Sequence, residues 1–176
     1  MLQTLHLLLQ PDPDGGAVLR YFYDNPNKYD EIRQDQASFQ GLIAQAEKDF
    51  YGPVSGNLVA LGRQLYDWLN GPSRLLDRAI KDCPINSTLV LAIDASATDA
   101  AKGNGAALNS TAFDSTNRLA HLPWEILHDG TIHLVQRTNP AIIPVRWQDR
   151  KIESKAPANR WLRVLFMATA PQDVTP

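Results

Sequence analysis

Residues 87–94 read STLVLAID, an almost wholly apolar run bounded by Pro84 and by a stretch of small and polar residues. The run lacks the strict alternation of apolar and polar side chains that is typical of a strand with one solvated face. Strands that are covered on both faces carry such continuous apolar runs. The pattern therefore predicts a central strand of a sheet at residues 87–94, and the neighbouring segments are expected to supply its partners.

Two β-prone runs precede this strand near the beginning of the chain. Residues 4–10 (TLHLLLQ) and 17–25 (AVLRYFYDN) are joined by PDPDGG at residues 11–16. Because Pro, Asp and Gly favour tight turns, the two runs are predicted to pair as a hairpin. The polar stretch around Pro26 that follows is predicted to be irregular.

Three segments between the hairpin and residues 87–94 carry apolar residues at helical spacing. The first covers residues 35–50, the second residues 58–69, and the third begins at Pro72 and ends before Pro84. Strands, then helices, then further strands predict an α/β or α+β domain. The side chains expected to form the buried stripes are Phe39, Leu42, Ile43, Ala46, Leu58, Leu61, Leu65, Trp68, Leu69, Leu75, Leu76, Ala79 and Ile80.

The second half of the chain alternates between polar segments and short apolar ones. Residues 95–117 are mainly Ala, Gly, Ser, Thr, Asn and Asp, a composition that buries little apolar area and predicts a mobile loop. Strands are predicted for TIHLVQR (131–137) and IIPVRW (142–147), and a charged linker for residues 148–160. WLRVLFMATA, at residues 161–170, is predicted to be a last strand with two apolar faces.

Composition and charge restrict the class of protein. The 176 residues are 44% hydrophobic and 20% charged, which is ordinary for a globular domain, and the net charge is −2 with no visible basic patch for nucleic acid. No apolar run approaches the roughly 20 residues that cross a bilayer, and residues 1–10 lack the features of a signal peptide. With Cys83 as the single cysteine, the protein is predicted to be cytoplasmic, without nucleic-acid or membrane partners.

Residues 119–130, LAHLPWEILHDG, combine two histidines, two carboxylates and a tryptophan. If the segment were one helix, His121, Glu125 and His128 would share a face, and these side chains are good zinc ligands. Pro123 is comfortable only in the first turn of a helix, so His121 is expected to precede the helix and to lie out of register. The sequence therefore predicts neither a metal site nor a cofactor.

The same segment has a structural interpretation. Pro123 suits the first helical position and Glu125 suits the first turn, where free N–H groups and the helix dipole favour a carboxylate. Trp124 and its aliphatic neighbours would bury apolar area, and Asp129-Gly130 is a turn signal before the next predicted strand. The pattern predicts a short capped helix wedged into a core.

Cys83 is the one candidate for a thiol nucleophile. It lies near the end of the third predicted helix, and a catalytic thiolate needs a histidine beside it in space. The sequence leaves His121 and His133 open as such partners. A free cysteine is more often a small buried hydrophobic residue than a catalyst, and this interpretation of Cys83 is favoured.

Motifs for phosphate binding are absent from the sequence, and the loop GNGAALNS at residues 103–110 lacks the lysine of a P-loop. Arg137 and Arg146 flank a proline-containing segment on neighbouring strand candidates. They are expected to form structural ion pairs with Glu125 or Asp129 rather than to bind a ligand.

Four stretches change the interpretation because they occur together and in order. They are LGRQLYDWLNG at residues 61–71, LAHLPWEILHDG at 119–130, IIPVRW at 142–147 and LRVLFMATAPQDV at 162–174. Together they resemble the N-terminal half of a CHAT domain, the caspase-like cysteine protease module of clan CD that is related to separase. In that family the first stretch is a helix, L-P-W-E-L-L-H-D-G leads into a short strand, and L-R-V-L-x-x-x-A-x-P opens the proteolytic lobe.

The resemblance implies an α/β fold in which residues 1–147 form the N-terminal, pseudo-protease lobe of a caspase-like CHAT domain. Residues 148–160 would be a linker, and residues 161–176 would be the first strand of the catalytic lobe, truncated at the end of the chain. The structural motif that the resemblance marks consists of Leu122, Pro123, Trp124, Glu125, Ile126, Leu127, His128, Asp129, Gly130 and Arg146.

The catalytic residues of that family are not found in this sequence. The family uses a His in an H-[FIL]-x-[CGS]-H-G motif and a Cys that ends a later strand, and both are expected downstream of residue 176. None of His6, His121, His128 and His133 stands in a matching motif, so no catalytic residue is assigned. The chain is then expected to be inactive as a protease by itself, as a fragment, a processing product or one half of a split gene.

Two functions follow as hypotheses. The resemblance implies the regulatory or scaffolding part of a bacterial CHAT-type cysteine endopeptidase, a family of specific proteases often found in defence systems. Its partners would be the C-terminal catalytic half, or a protein with sensor or repeat domains, and a protein substrate. The alternative is a stand-alone, non-catalytic interaction module with a CHAT-like fold, which binds a partner protein through the edge of the strand at residues 161–170.

Overall fold

The structure of the protein is a computed structural model that describes residues 1–12, 14, 16–54, 56–95 and 118–147. Within these residues the chain forms a mixed α/β fold around one five-stranded sheet, in the order β3-β2-β1-β4-β5. The strands are β1 (Leu2–Pro11), β2 (Ala17–Phe22), β3 (Asp30–Gln34), β4 (Thr88–Asp94) and β5 (Ala141–Trp147). The helices are α1 (Gln36–Asp49), α2 (Leu58–Asn70) and α3 (Leu75–Asp82), and two 3-10 turns cover Trp124–Ile126 and Leu134–Gln136. Residues 118–121 are also helical.

β4 is the centre of the parallel part of the sheet. It pairs in parallel with β1 on one side and with β5 on the other, so that Leu91 lies between Leu5 and Pro144. The predicted central position of residues 87–94 is confirmed, whereas cover on both faces of this strand stays a prediction. The described helices cover one face of the sheet, whereas Val90 on the opposite face is half-buried. The helix-facing side chains of β4 are fully buried: Leu89, Leu91 and Ile93.

The predicted hairpin of β1 and β2 is also confirmed, with Leu9 opposite Leu19. On the helix side of β2, Tyr21 is buried and its hydroxyl donates a hydrogen bond to the carbonyl oxygen of Leu69. Burial raises the pKa of this hydroxyl above its ordinary value. The contact ties the sheet to the end of α2.

The three predicted helices are present, and local caps define two of them. Asp35 caps α1 by accepting the amide of Ser38 at 2.7 Å, and Asn57 caps α2 by accepting the amide of Ala60 at 3.0 Å. α2 ends at Asn70 and is followed by its cap residue Gly71, whose φ of 58° is a conformation that glycine adopts without strain. The sequence-local signals therefore account for where these helices begin and end.

α3 starts later than predicted. The helix begins at Leu75, because residues 71–74 form a turn and Arg74 has a positive φ of 51°. Pro72 lies within this turn instead of at the first helical position. The buried stripe of the helix agrees with the prediction and comprises Leu75, Leu76, Ala79 and Ile80.

The prediction of an irregular stretch after Pro26 is wrong for residues 30–34, which form the edge strand β3. Within this strand only Ile32 is buried, and Glu31 pairs with Arg20 of β2 at 2.9 Å. Charged side chains are common on edge strands because they discourage pairing with other chains. Because only one side chain of β3 is buried, its sequence lacks the alternation of apolar and polar residues from which a strand is predicted.

The prediction of a strand at residues 131–137 is wrong as well. An isolated bridge between His128 and His133 is followed by a 3-10 turn. The Asp129 carboxylate accepts the amides of the two residues after Gly130, at 2.8 and 3.0 Å. Because these amides are engaged by a side chain, they cannot enter a sheet ladder.

Three predicted segments lie outside the described residues: the loop at 95–117 beyond Ala95, the linker at 148–160 and the strand at 161–176. They stay predictions. In the part of the chain that the structure describes, no helix combines the length and the apolar character that crossing a membrane requires.

Candidate functional site

The Trp124 segment, defined as residues 119–130, lies between α2 and β5. Trp124 is 1% exposed, and its ring stacks on Trp68 of α2 with ring centroids 6.4 Å apart. Trp68 stacks in turn on Phe39 of α1 at 6.3 Å. This column of three rings joins the segment to two helices. The other buried apolar side chains of the segment are Leu119, Leu122, Pro123 and Leu127.

The short helix predicted in this segment is a single 3-10 turn, Trp124–Ile126. Pro123 occupies its cap position with a ψ of 74°, so the prediction that this proline is the first helical residue is wrong. Glu125 does lie in the first turn, as predicted. The turn ends at Ile126. Leu127 has a ψ of 128°, and the chain then runs toward α2.

Backbone contacts hold the segment against α2 at Gly62. The amide of His128 donates a hydrogen bond to the Gly62 carbonyl oxygen at 3.1 Å. A Cβ at residue 62 would overlap the carbonyl oxygen of Ile126, so only glycine permits this approach. The guanidinium of Arg63 donates a hydrogen bond to the carbonyl oxygen of Asp129. α2 thus contacts the segment through Gly62, which has no side chain, and through the guanidinium of Arg63.

Arg146 of β5 holds the other side of the segment. Its guanidinium binds both carboxylate oxygens of Glu125, at 2.7 Å from Nε and 3.0 Å from Nη2. Its Nη1 donates to the carbonyl oxygen of Ala120 at 2.6 Å. The hydrogen bonds from Arg146 hold the pKa of Glu125 below its ordinary value, against a smaller opposing effect of desolvation. The predicted ion pair of Arg146 is confirmed.

Asp129 organises the turn that ends the segment. Its side chain is only 6% exposed and binds the guanidinium of Arg137, which confirms the second predicted ion pair. Burial works to raise the pKa of this carboxyl, but hydrogen bonds from the Ile132 and Thr131 amides and from Arg137 outweigh it. The pKa of Asp129 therefore lies below its ordinary value. Gly130 has a φ of 100°, which confirms the predicted turn at this position.

The three side chains considered as zinc ligands have separate partners. Glu125 is taken by Arg146, and His121 is exposed, with its carbonyl oxygen bound by the hydroxyl of Tyr51. Nδ1 of His128 accepts the amide of Gly130 at 3.0 Å. Among the described residues, no three His, Cys, Asp or Glu side chains are placed to hold a metal ion together.

A cleft of about 470 Å³ lies beside Asp129, between α3 and the chain before β5. Cys83, which is buried, lines this cleft, and no histidine is among the described residues around it. The Tyr66 hydroxyl donates to the Asp77 carboxylate, and burial is the main cause that raises the pKa of Tyr66. The residues that line the cleft are Tyr66, Arg74, Asp77, Ile80, Lys81, Cys83, Ile85, Asp129, Thr131, Arg137 and Pro140.

Four of the five ionic groups that line the cleft form two pairs, and Lys81 leaves the lining with a net charge of +1. Asp129 binds Arg137, and Asp77 binds Arg74 at 2.8 Å. Such partly exposed pairs contribute only modestly to the stability of the local structure. The histidines that the sequence left open as partners of Cys83 do not line the cleft, so its described walls hold no thiol–imidazole pair.

Sequence reasoning missed Gly62 and Tyr51, which both contact the Trp124 segment. A signal for Gly62 exists, since a glycine inside a strongly amphipathic helix costs about 1 kcal/mol relative to alanine and usually has a packing reason. Tyr51 carries no comparable signal, because its partner is a main-chain carbonyl 70 residues away in sequence.

Comparison of the chain with models of protein families, with curated proteins and with solved structures gives no match.

Proposed function

We propose that residues 1–147 form the N-terminal, non-catalytic lobe of a CHAT-type caspase-like cysteine endopeptidase and act as its scaffold. The observation that supports this proposal is a contact between the stretches on which the resemblance rests. Residues 61–71, 119–130 and 142–147 are far apart in sequence, yet they meet at one junction. The fourth stretch lies outside the described residues.

The junction uses the residue types of all three stretches. Gly62 permits the close approach of the Ile126 carbonyl, and Arg146 binds Glu125 with two hydrogen bonds. Trp124 stacks on a tryptophan of α2. If the three stretches resembled the family only by chance, their residues would not be expected to contact one another in the folded chain. The contacts favour an architectural role for the LPWEILHDG motif.

The proposed lobe has no part in the chemical step. In the intact enzyme a His would accept the proton of a Cys thiol, and backbone N–H groups would stabilise the tetrahedral oxyanion. The resemblance assigns these groups to the catalytic half, downstream of residue 176. This lobe would hold that half in its active arrangement, and the class of substrate is a protein.

The experiment is an assay of the intact polypeptide and of the present chain with a library of peptides. The DNA that follows codon 176 is expected to encode an H-G motif and a strand-terminal Cys, in frame or in the next gene. The intact protein should cleave a subset of peptides and lose this activity when that Cys is replaced by Ser. The chain of residues 1–176 should cleave none.

Cys83→Ser is the matched control, because Cys83 is the other thiol in the comparison and is buried. It should leave cleavage by the intact protein unchanged. Downstream DNA with neither motif would contradict the proposal and favour the stand-alone interaction module. Cleavage by residues 1–176 that disappears in Cys83→Ser would overturn both.

A further inference from the structure

Exposed apolar side chains follow one another in the loop between α1 and α2 and at the start of α2. We name this set the apolar patch and define it as Phe50, Tyr51, Val54, Leu58 and Val59, which are 40, 54, 77, 36 and 50% exposed. Single exposed apolar residues are ordinary, but five large ones within ten residues are a cluster of the kind that marks an interaction site. Two of them are aromatic, a class of side chain that is enriched at protein interfaces.

The loop that carries Phe50, Tyr51 and Val54 of the apolar patch is held in place by hydrogen bonds. The amide of Gly56 donates to the Asp49 carbonyl oxygen at 3.0 Å, and Asn57 caps α2. The rings of Phe50 and Tyr51 meet edge to face, with centroids 4.9 Å apart. The surface is therefore formed before any partner binds, which lowers the cost of ordering it.

The edges of the sheet are less suitable for docking. Ala141 donates its amide toward β4, to the carbonyl of Ser87 at 3.0 Å. Since successive residues of a strand point their amides to opposite sides, Pro144 lies where the outer edge of β5 would need an N–H, and it has none. At the other edge, β3 carries Glu31 and Arg33, which discourage strand addition.

The chain leaves the sheet beside the apolar patch. Tyr51 donates to the carbonyl oxygen of His121, and Arg146 donates to that of the preceding residue, Ala120. The side chains of Tyr51 and Arg146 therefore lie close together, and β5 ends one residue later at Trp147. Whatever follows residue 147 begins next to the patch.

We propose that the apolar stretch at residues 161–170 of this same chain packs on the apolar patch. The stretch, WLRVLFMATA, carries Arg163 as its single charge, which suits an apolar surface. The 13 residues from 148 to 160 can span up to about 43 Å when extended, so the stretch reaches the patch from Trp147. A tethered segment acts at an effective concentration near millimolar, which favours it over a free partner. In the proposed protease the same stretch opens the catalytic lobe, so the contact proposed here concerns the chain of residues 1–176 by itself.

Hydrogen exchange of the full chain, followed by mass spectrometry, tests this contact. In the wild-type protein the amides of residues 161–170 should exchange at least tenfold more slowly than in the double variant Val54→Asp/Val59→Asp. The matched control is Ile85→Asp/Val135→Asp, which changes two apolar residues that are 75 and 54% exposed outside the patch. The control should exchange like the wild type, and the amides of β4 should be protected equally in all three proteins.

Equal exchange of residues 161–170 in the wild type and the patch variant would overturn the proposal. Protection that is lost on dilution, together with a dimer in sedimentation velocity, would also overturn it and assign the patch to a second copy of the chain. If the double variant lowers protection of β4, Val54→Asp alone serves in its place, because Val54 is 77% exposed and supports no core contact. Neither outcome depends on protease activity.

Discussion

The amide of His128 donates a hydrogen bond across 3.1 Å to the carbonyl oxygen of Gly62, in the middle of α2. The two residues are brought together because Gly62 has no side chain and the Ile126 carbonyl occupies the space where a Cβ would lie. The helix and the Trp124 segment therefore share one close backbone contact. Four predictions concern this junction and its neighbours.

Gly62→Ala should destabilise the protein although alanine is the better helix former. Overpacking against the Ile126 carbonyl should cost about 1–3 kcal/mol, more than the gain in helix propensity of about 1 kcal/mol. Urea unfolding measures the change. Gly41→Ala is the matched control, since no atom lies within 4 Å of a Cβ at that position of α1, and it should stabilise by about 0.5–1 kcal/mol. A Gly62→Ala protein as stable as Gly41→Ala would show that the close approach is absent.

Trp124→Ala should remove a core anchor. Deletion of a large buried aromatic side chain costs about 3–5 kcal/mol, which for a chain of this size lowers Tm by about 10 °C. Thermal unfolding followed by circular dichroism gives the measurement. Val135→Ala, at a residue that is 54% exposed, should change the stability by less than about 0.5 kcal/mol. An unchanged melt of Trp124→Ala would place the side chain on the surface, where it could bind a partner.

The Glu125–Arg146 pair should show a measurable but small coupling energy. A double-mutant cycle of Glu125→Ala and Arg146→Ala is expected to give about 0.5–1 kcal/mol, because the pair is bidentate but its side chains are 54 and 36% exposed. High salt should reduce the coupling. Arg146→Ala should cost more than Glu125→Ala, since Arg146 also binds the Ala120 carbonyl. Equal costs for the two single variants would contradict the role of that carbonyl.

Asp129→Asn should lower the stability in a pH-dependent way. The folded protein holds the pKa of Asp129 below its ordinary value, so the carboxylate contributes its full stabilisation above about pH 5, where the carboxyl of the unfolded chain is also ionised. That contribution is lost as the pH falls through the folded pKa. At pH 7 the variant should be less stable by about 1–3 kcal/mol, the range for hydrogen bonds to a charged group that is largely buried.

The difference between wild type and Asp129→Asn should then shrink as the pH is lowered from 5 toward 2, in a series of urea unfolding curves. Asp67→Asn provides a comparison, because the Arg63–Asp67 pair is 46 and 53% exposed and should contribute less than about 0.5 kcal/mol. A constant difference between wild type and Asp129→Asn over this pH range would refute the role of the charge.

The helices and the central strand could be predicted because their signals are local. An apolar side chain recurs on one face of α1 or α2 whatever the rest of the chain does, and caps such as Asp35 act within three residues. The continuous apolar run of β4 likewise indicates its burial from within the strand. These local features indicate where each element begins and which of its side chains are buried.

The sequence by itself determined the strands β1, β2, β4 and β5, the helices α1 and α2, the buried stripe of α3, the turn at Asp129-Gly130 and the ion-pairing capacity of Arg146. Only the tertiary structure decided that β3 is a strand, because neighbouring β2 supplies its hydrogen bonds and its own side chains bury little. The same holds for the junction of Gly62, Trp124 and Arg146, whose residues become neighbours only after the sheet and helices are assembled. The physical reason is that periodicity and caps act over a few residues, whereas a close backbone approach depends on groups more than 60 residues apart.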